Sequence, residues 1–293
     1  MLTSNVERWR DAGALEPVAG HRLYVQRRRG RRPALLLLHG FPTSSFDWRL
    51  LLALRPEHAA LAFDCLGFGL SDKPRGHVYS LAWQADAAEA LVRRAGSPPV
   101  FVVAHDMGTS IATELMSRDL RGELTVKLTG ALFLNAGILL DRASPTIGQR
   151  LLRSSLGPLA SRLITATTFA LQFGRVFSAE HPLRAEEIAD QWSLIAHNDG
   201  HRIGHRVVHY MDERERLVDR WHGAVRDWPR PLTIAWGLRD PVATPKALEG
   251  LRELRPSARV ITLPDVGHYP QIECPDRVAA ALDQALTLEA GDS

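Results

Sequence analysis

A chain of 293 residues with 45% hydrophobic and 24% charged content can bury a full core, and its length suits one large α/β domain carrying an insertion. The formal charge of +3 is mildly basic, but the arginines are scattered and concentrate only at Arg27–Arg32, which reads as a solvated turn, so neither a nucleic-acid footprint nor an anionic-membrane patch is expected. Two cysteines, Cys65 and Cys274, make no disulfide framework and no zinc site; the N-terminus lacks a signal-peptide core and no apolar run is long enough for a span, so a soluble cytoplasmic protein is expected.

In chain order, Val18–Gln26 reads as an edge hairpin. Short runs rich in Val, Leu and Ile, each closing on small or polar residues, then recur at Ala34–Leu38, Ala60–Phe63, Val100–Ala104, Gly130–Leu134, Leu232–Trp236 and Arg259–Leu263. Helical spacing of apolar residues over Leu81–Ala95 and Ile111–Asp119 separates them, the rhythm of buried parallel strands in βα units. Gly67-Phe68-Gly69 lacks the third glycine of a dinucleotide site and is a turn. The rhythm breaks after the strand ending at Asn135. Residues 137–226 carry helix-like stretches without a strand signal, and an insertion leaving the carboxyl edge of a parallel sheet would roof a ligand site. The chain therefore divides into a core, 1–136 and 227–293, and a helical cap, 137–226.

The third of these runs carries the chemistry. PVFVVAHDMG (99–108) runs a buried strand into Ala104-His105-Asp106-Met107-Gly108 and then a helix, the small-x-nucleophile-x-small elbow with an aspartate in place of serine. An Asp that merely caps the helix is the competing reading. It loses because Asp240, in WGLRDP, and His268, in DVGH, follow the next strands in the order nucleophile, acid, base. An oxyanion hole needs one backbone N–H after the nucleophile and one from an early loop, and Met107 and Phe41 supply them. Ser110 approximates a serine elbow but falls inside the helix. His197, His201, His205 and His209 are spaced as metal ligands on one helix face would be, but Gly200 and Gly204 weaken that helix, and a polar cap face is the simpler reading. No metal and no cofactor are expected.

These motifs in order, HGFPTSSFDW (39–48), FDCLGFGLSDKP (63–74), AHDMG (104–108), WGLRDP (236–241) and GHYPQIECP (267–275), resemble the epoxide hydrolase and haloalkane dehalogenase branch of the α/β-hydrolases over nearly the whole length. Within it the chain is most similar to the mesoderm-specific transcript proteins and their bacterial relatives, which also match Asn198-Asp199-Gly200. The resemblance implies a mostly parallel central sheet flanked by helices under a helical cap. It implies attack by Asp106 to form an alkyl ester, with release by water that His268 and Asp240 activate. Tyr210 stands at about the position of the later of two cap donors to an epoxide oxygen, with packing as its plainer role; His181 or Trp192 would replace the earlier donor. His39, His105, Trp192 and Tyr269 are the expected substrate contacts. Dehalogenation is the alternative, but Met107 and Phe41, at the halide-binding positions, have no side-chain donor. Asn135, where some relatives place the acid, is an amide. The implied substrate is small and hydrophobic, and the chain a monomer or homodimer; a non-catalytic ligand-binding protein on the same fold is the reading from another class.

Overall fold

The computed structural model describes residues 1–291. Eight strands form one sheet: β1 (Ala14–Val18), β2 (His21–Arg28), β3 (Arg31–Leu38), β4 (His58–Phe63), β5 (Val100–His105), β6 (Leu128–Leu134), β7 (Leu232–Gly237) and β8 (Arg259–Leu263). The order is β1-β2-β4-β3-β5-β6-β7-β8, with β1 and β2 antiparallel and every pair from β4 to β8 parallel. The six expected parallel strands are all present, most extended by one to three residues. The edge hairpin spans Ala14–Arg28, turning at Ala19 and Gly20 (φ 46° and 84°), so it begins earlier than the sequence pattern placed it. Two successive positive φ values match strand twist in a tight hairpin.

The core helices are α1 (Ser4–Asp11), α2 (Arg49–Leu54), α3 (Leu81–Arg94) and α4 (Met107–Leu120). Between β6 and β7 come α5 (Ile147–Arg153), α6 (Gly157–Leu163), α7 (Ala166–Gly174), α8 (Ala185–Ala196), α9 (Gly204–Val207), α10 (Tyr210–Arg216) and α11 (Val218–Asp227), and no strand among the described residues. After β7 the chain adds α12 (Pro245–Leu254), α13 (Pro270–Glu273) and α14 (Pro275–Gly291). β3, β5 and β6 are fully enclosed over most of their length because both faces carry helices, which is why their sequences are continuous apolar runs rather than alternating ones. The helical segment is tied down by polar contacts as well as apolar ones: Trp221 Nε1 on α11 donates to Glu114 on α4 at 3.0 Å, and Gln191 Nε2 on α8 donates to Asp47 at 2.8 Å.

The arginine run at 27–32 is not the solvated turn expected of it. Arg27 and Arg28 lie within β2 and are only partly exposed, and the Arg28 guanidinium donates to the carbonyls of Leu52, Arg55 and His58, closing the end of α2. Only Arg29 and Gly30 make the turn proper.

Candidate active site

The elbow between β5 and α4 lies at the middle of the sheet, with β3 on one side of β5 and β6 on the other. Asp106 has φ 43° and ψ −111°, a strained conformation for a residue with a β-carbon. It is possible because its neighbours are small: a Cβ at Gly108 would lie 2.2 Å from the Leu38 carbonyl, and one at Gly40 would lie 2.9 Å from the Asp106 Cβ. The strand-end loops supply the partners. His268 Nδ1 lies 2.6 Å from Asp240 Oδ2, while Asp240 Oδ1 accepts from the N–H groups of Val242 and Ala243 at 2.7 and 3.0 Å. Asp106, Asp240 and His268 are all buried, so the three expected triad residues are gathered at the carboxyl edge of the sheet.

Asn135, set aside in the sequence as only an amide, completes this arrangement. Its Nδ2 donates to Asp240 Oδ2 at 2.6 Å and lies 3.3 Å from the carbonyls of Gly237 and Gly267, and its Oδ1 accepts from Gly237 N at 2.9 Å. One side chain at the end of β6 thus stitches together the loops that carry the acid and the base.

Phe41 N donates to Asp106 Oδ2 at 3.0 Å. Met107 opens α4, where a backbone N–H has no intrahelical acceptor. The largest unexpected feature faces the other carboxyl oxygen: Arg214 Nη2 is 3.5 Å from Asp106 Oδ1, with both side chains buried. Arg214 sits one turn after Tyr210 on α10, so its guanidinium lies over that ring at 4.6 Å from the centroid. Its Nε donates to Ser110 at 2.8 Å, so the serine in the helix serves the arginine. Nη2 has no hydrogen-bond partner. No motif announced Arg214, because Glu-Arg-Glu-Arg (213–216) reads as a solvated charge run; its spacing from Tyr210 was the available signal.

Burial pushes the Asp106 carboxyl up, but Arg214, and after it His268, overcome that and hold it below its ordinary value. Burial pushes His268 down, but the charge and hydrogen bond of Asp240, with Asp106 behind them, raise it above the usual imidazole value. His105 is driven down to about 3 by burial and the neighbouring His268, so it is neutral. Its Nε2 therefore donates to the His268 carbonyl at 2.7 Å. His39 accepts from Cys65 N at Nε2 (2.9 Å) and donates from Nδ1 to the Gly40 carbonyl (2.9 Å).

An apolar cavity holding about 1000 Å³ of empty space, part of it open to solvent, lies against this site. Phe41, His268, Tyr269 and Gln149 are in its wall, together with Leu152, Phe169 and Phe173 from the helical segment. Of the four expected substrate contacts, only Tyr269 lines it, holding the Phe41 carbonyl with its hydroxyl at 3.1 Å. Both nitrogens of His39 and Nε2 of His105 are engaged by backbone groups, and Trp192 lies behind Phe169 and His201 at centroid distances of 5.8 and 5.6 Å. Tyr210 is buried with its hydroxyl 3.3 Å from Gln149 Nε2 and its ring 5.7 Å from that of Phe41. His181, the other substitute donor, bonds to Asp265 at 3.1 Å and is not in the cavity wall. The four-histidine series is broken by left-handed Asn198 and Asp199. His205 turns to Ser161 and His209 to Asp212, and no group of three or more metal-ligating side chains occurs among the described residues.

Comparison with known proteins agrees with this architecture. The model of the alpha/beta hydrolase family matches residues 35–281. The Mycobacterium tuberculosis protein LipZ is 51% identical over 281 residues, covering 96% of this chain and 98% of that protein. The human mesoderm-specific transcript homolog protein is 35% identical over 289 residues, covering 94% and 85% respectively. Among solved structures, the haloalkane dehalogenase DbeA from Bradyrhizobium elkani superimposes with a TM-score of 0.78 at 22% identity, covering 96% of this chain and 99% of that one, a likeness of fold. The chain belongs to the alpha/beta hydrolase family.

Proposed function

We propose that this member of the alpha/beta hydrolase family works through an aspartyl ester on Asp106, and that it opens an epoxide or a like oxygen electrophile on a small hydrophobic substrate. The observation that carries this reading is the hydrogen bond from Phe41 N to Asp106 Oδ2. In a serine enzyme the oxyanion hole receives an oxygen of the substrate. Here its donor holds an oxygen of the enzyme's own carboxyl, which is where negative charge develops if that carboxyl is the acyl group being hydrolysed. Oδ2 would be the oxyanion and Oδ1 the attacking atom.

In the first step Oδ1 bonds to the electrophilic carbon, the carbon–oxygen bond of the ring breaks, and the leaving oxygen takes a proton from Tyr210. Arg214 keeps the carboxyl ionised before attack, and its Nη2, 3.5 Å from Asp106 Oδ1 and without a hydrogen-bond partner, is the second donor for the developing alkoxide. His268, aligned by Asp240 and Asn135, then takes a proton from water, which attacks Asp106 Cγ; the ester breaks, the released oxygen takes the proton from His268 to give the diol, and the remaining proton of the new carboxyl returns to the Tyr210 phenolate, which restores the Asp106 carboxylate. The oxygen donors Tyr210 and Arg214, beside halide positions occupied by Phe41 and Met107, favour an oxygen leaving group over a halide. A non-catalytic binding role would need none of these protonation states tuned together.

Turnover in oxygen-18 water tests the reading. The water oxygen enters Asp106, so the peptide carrying residue 106 should become heavier with successive turnovers, and the first-turnover product should contain unlabelled oxygen from the enzyme. Label appearing in product alone from the first turnover would contradict it.

A further inference from the structure

The helical segment has an outward face that its packing does not explain. Six of the eleven exposed large hydrophobic side chains among the described residues fall within one 25-residue stretch: Ile147, Leu151, Leu156, Leu159, Leu163 and Leu171, between 44% and 71% exposed. They belong to neighbouring helices. α5 and α6 both rest on α9 through their inner residues: a Cβ at Gly157 would lie 2.1 Å from the Leu152 carbonyl and 3.0 Å from the His205 Cβ, and Ser161 accepts from His205 N at 2.9 Å. The other sides of the same two helices therefore point away from the protein together. α7 joins them, since a Cβ at Gly148 would lie 2.1 Å from the Gln172 amide.

The stretch that supplies these side chains carries charge of one sign. From Arg142 to Ala179 the chain carries five arginines, no lysine and no acidic residue. Arg142 and Arg153 are engaged by Glu253, Asp212 and Glu215, which leaves exposed Arg150, Arg162 and Arg175 without a carboxylate partner among the described residues. The cavity opens in the same place: Gly148, Leu152, Ile164 and Gln172 are in its wall, and Gln172 is its one exposed lining residue.

We propose that this face docks on an anionic lipid surface, so that the cavity mouth opens onto the bilayer from which an apolar substrate can enter. Apolar side chains interleaved with arginine suit a monolayer of acyl chains under negative headgroups. A second copy of the chain fits worse, because a two-fold contact would set the three arginines that lack a carboxylate partner against their own copies. The membrane contact is peripheral, and it revises the sequence expectation that no membrane is a partner; no helix among the described residues is long and apolar enough to cross one.

Co-sedimentation of the full chain with phosphatidylcholine vesicles, with and without about one part in three of phosphatidylglycerol, tests this. Binding to the anionic vesicles should exceed binding to the neutral ones by about tenfold and weaken with salt. The double variant Leu159→Ser/Leu163→Ser and the triple variant Arg150→Gln/Arg162→Gln/Arg175→Gln should each lose most of it, while keeping the far-UV circular dichroism and melting temperature of the wild type, since all five residues are exposed. The readout is binding, so it stands whether or not Asp106 is the nucleophile. No vesicle binding, binding indifferent to lipid charge and to both variants, or a solution dimer that the leucine variant dissolves would overturn the proposal.

Discussion

A buried guanidinium beside a buried carboxylate is the least expected feature at the scale of single residues. Such a pair is costly to desolvate, and deleting one partner strands the other's charge. Arg214→Met should therefore lower stability by about 3 kcal/mol at neutral pH. It should also let burial raise Asp106 from its depressed value, so the acidic limb of kcat/KM moves to higher pH and the neutral-pH rate falls by roughly tenfold to hundredfold. Arg214→Lys should recover the limb without the full rate, because an ammonium keeps the charge but lacks the guanidinium fork. A variant with an unchanged pH profile would reduce Arg214 to packing. The clustering of Asp106, Asp240 and His268 was legible because each follows a strand and carries a reactive side chain. Arg214 and Asn135 were not, since a charge run resembles a solvated face and an amide announces no chemistry. His39 and His105 misled for the opposite reason: histidines inside such motifs look like ligand contacts, but both nitrogens of His39 and Nε2 of His105 pair with backbone groups.

Among elements, the inner strands could be read almost to the residue because burial on both faces leaves an uninterrupted apolar run. The helical segment could be read only as a class, since its register depends on contacts with distant parts of the chain. The seat of α8 is one such contact. Asp47 is fully buried between Thr43 Oγ1 at 2.5 Å and Gln191 Nε2 at 2.8 Å, and burial pushes its carboxyl up to about 7 in spite of those donors. In the unfolded chain this group ionises near 3.9. A carboxyl raised on folding binds its proton more tightly in the native state, so stability is highest below the unfolded value and declines as pH rises towards and through 7. Thermal melts from pH 5 to pH 8 should show that decline, and Asp47→Asn, which keeps a neutral hydrogen-bonding group between Thr43 and Gln191, should flatten it. An equal slope in wild type and variant would show that Asp47 does not control the seat.

Across the whole molecule, residues 106, 240 and 268 meet only because β5, β7 and β8 run parallel and end at the same edge, beneath a segment that leaves from β6. The order of motifs was sufficient to anticipate that, while the cavity wall, drawn from loops and helices far apart in the chain, was not. The central claim is that the ester forms on Asp106 and that His268 is needed only to release it. His268→Gln tests it most directly: incubated with an epoxide, the variant should gain the full substrate mass, all of it on the peptide that contains Asp106, and with a halide of the same carbon skeleton it should gain, if anything, the substrate mass less the hydrogen halide. An adduct on a serine, or none with an electrophile that the wild type consumes, would contradict the aspartyl-ester mechanism.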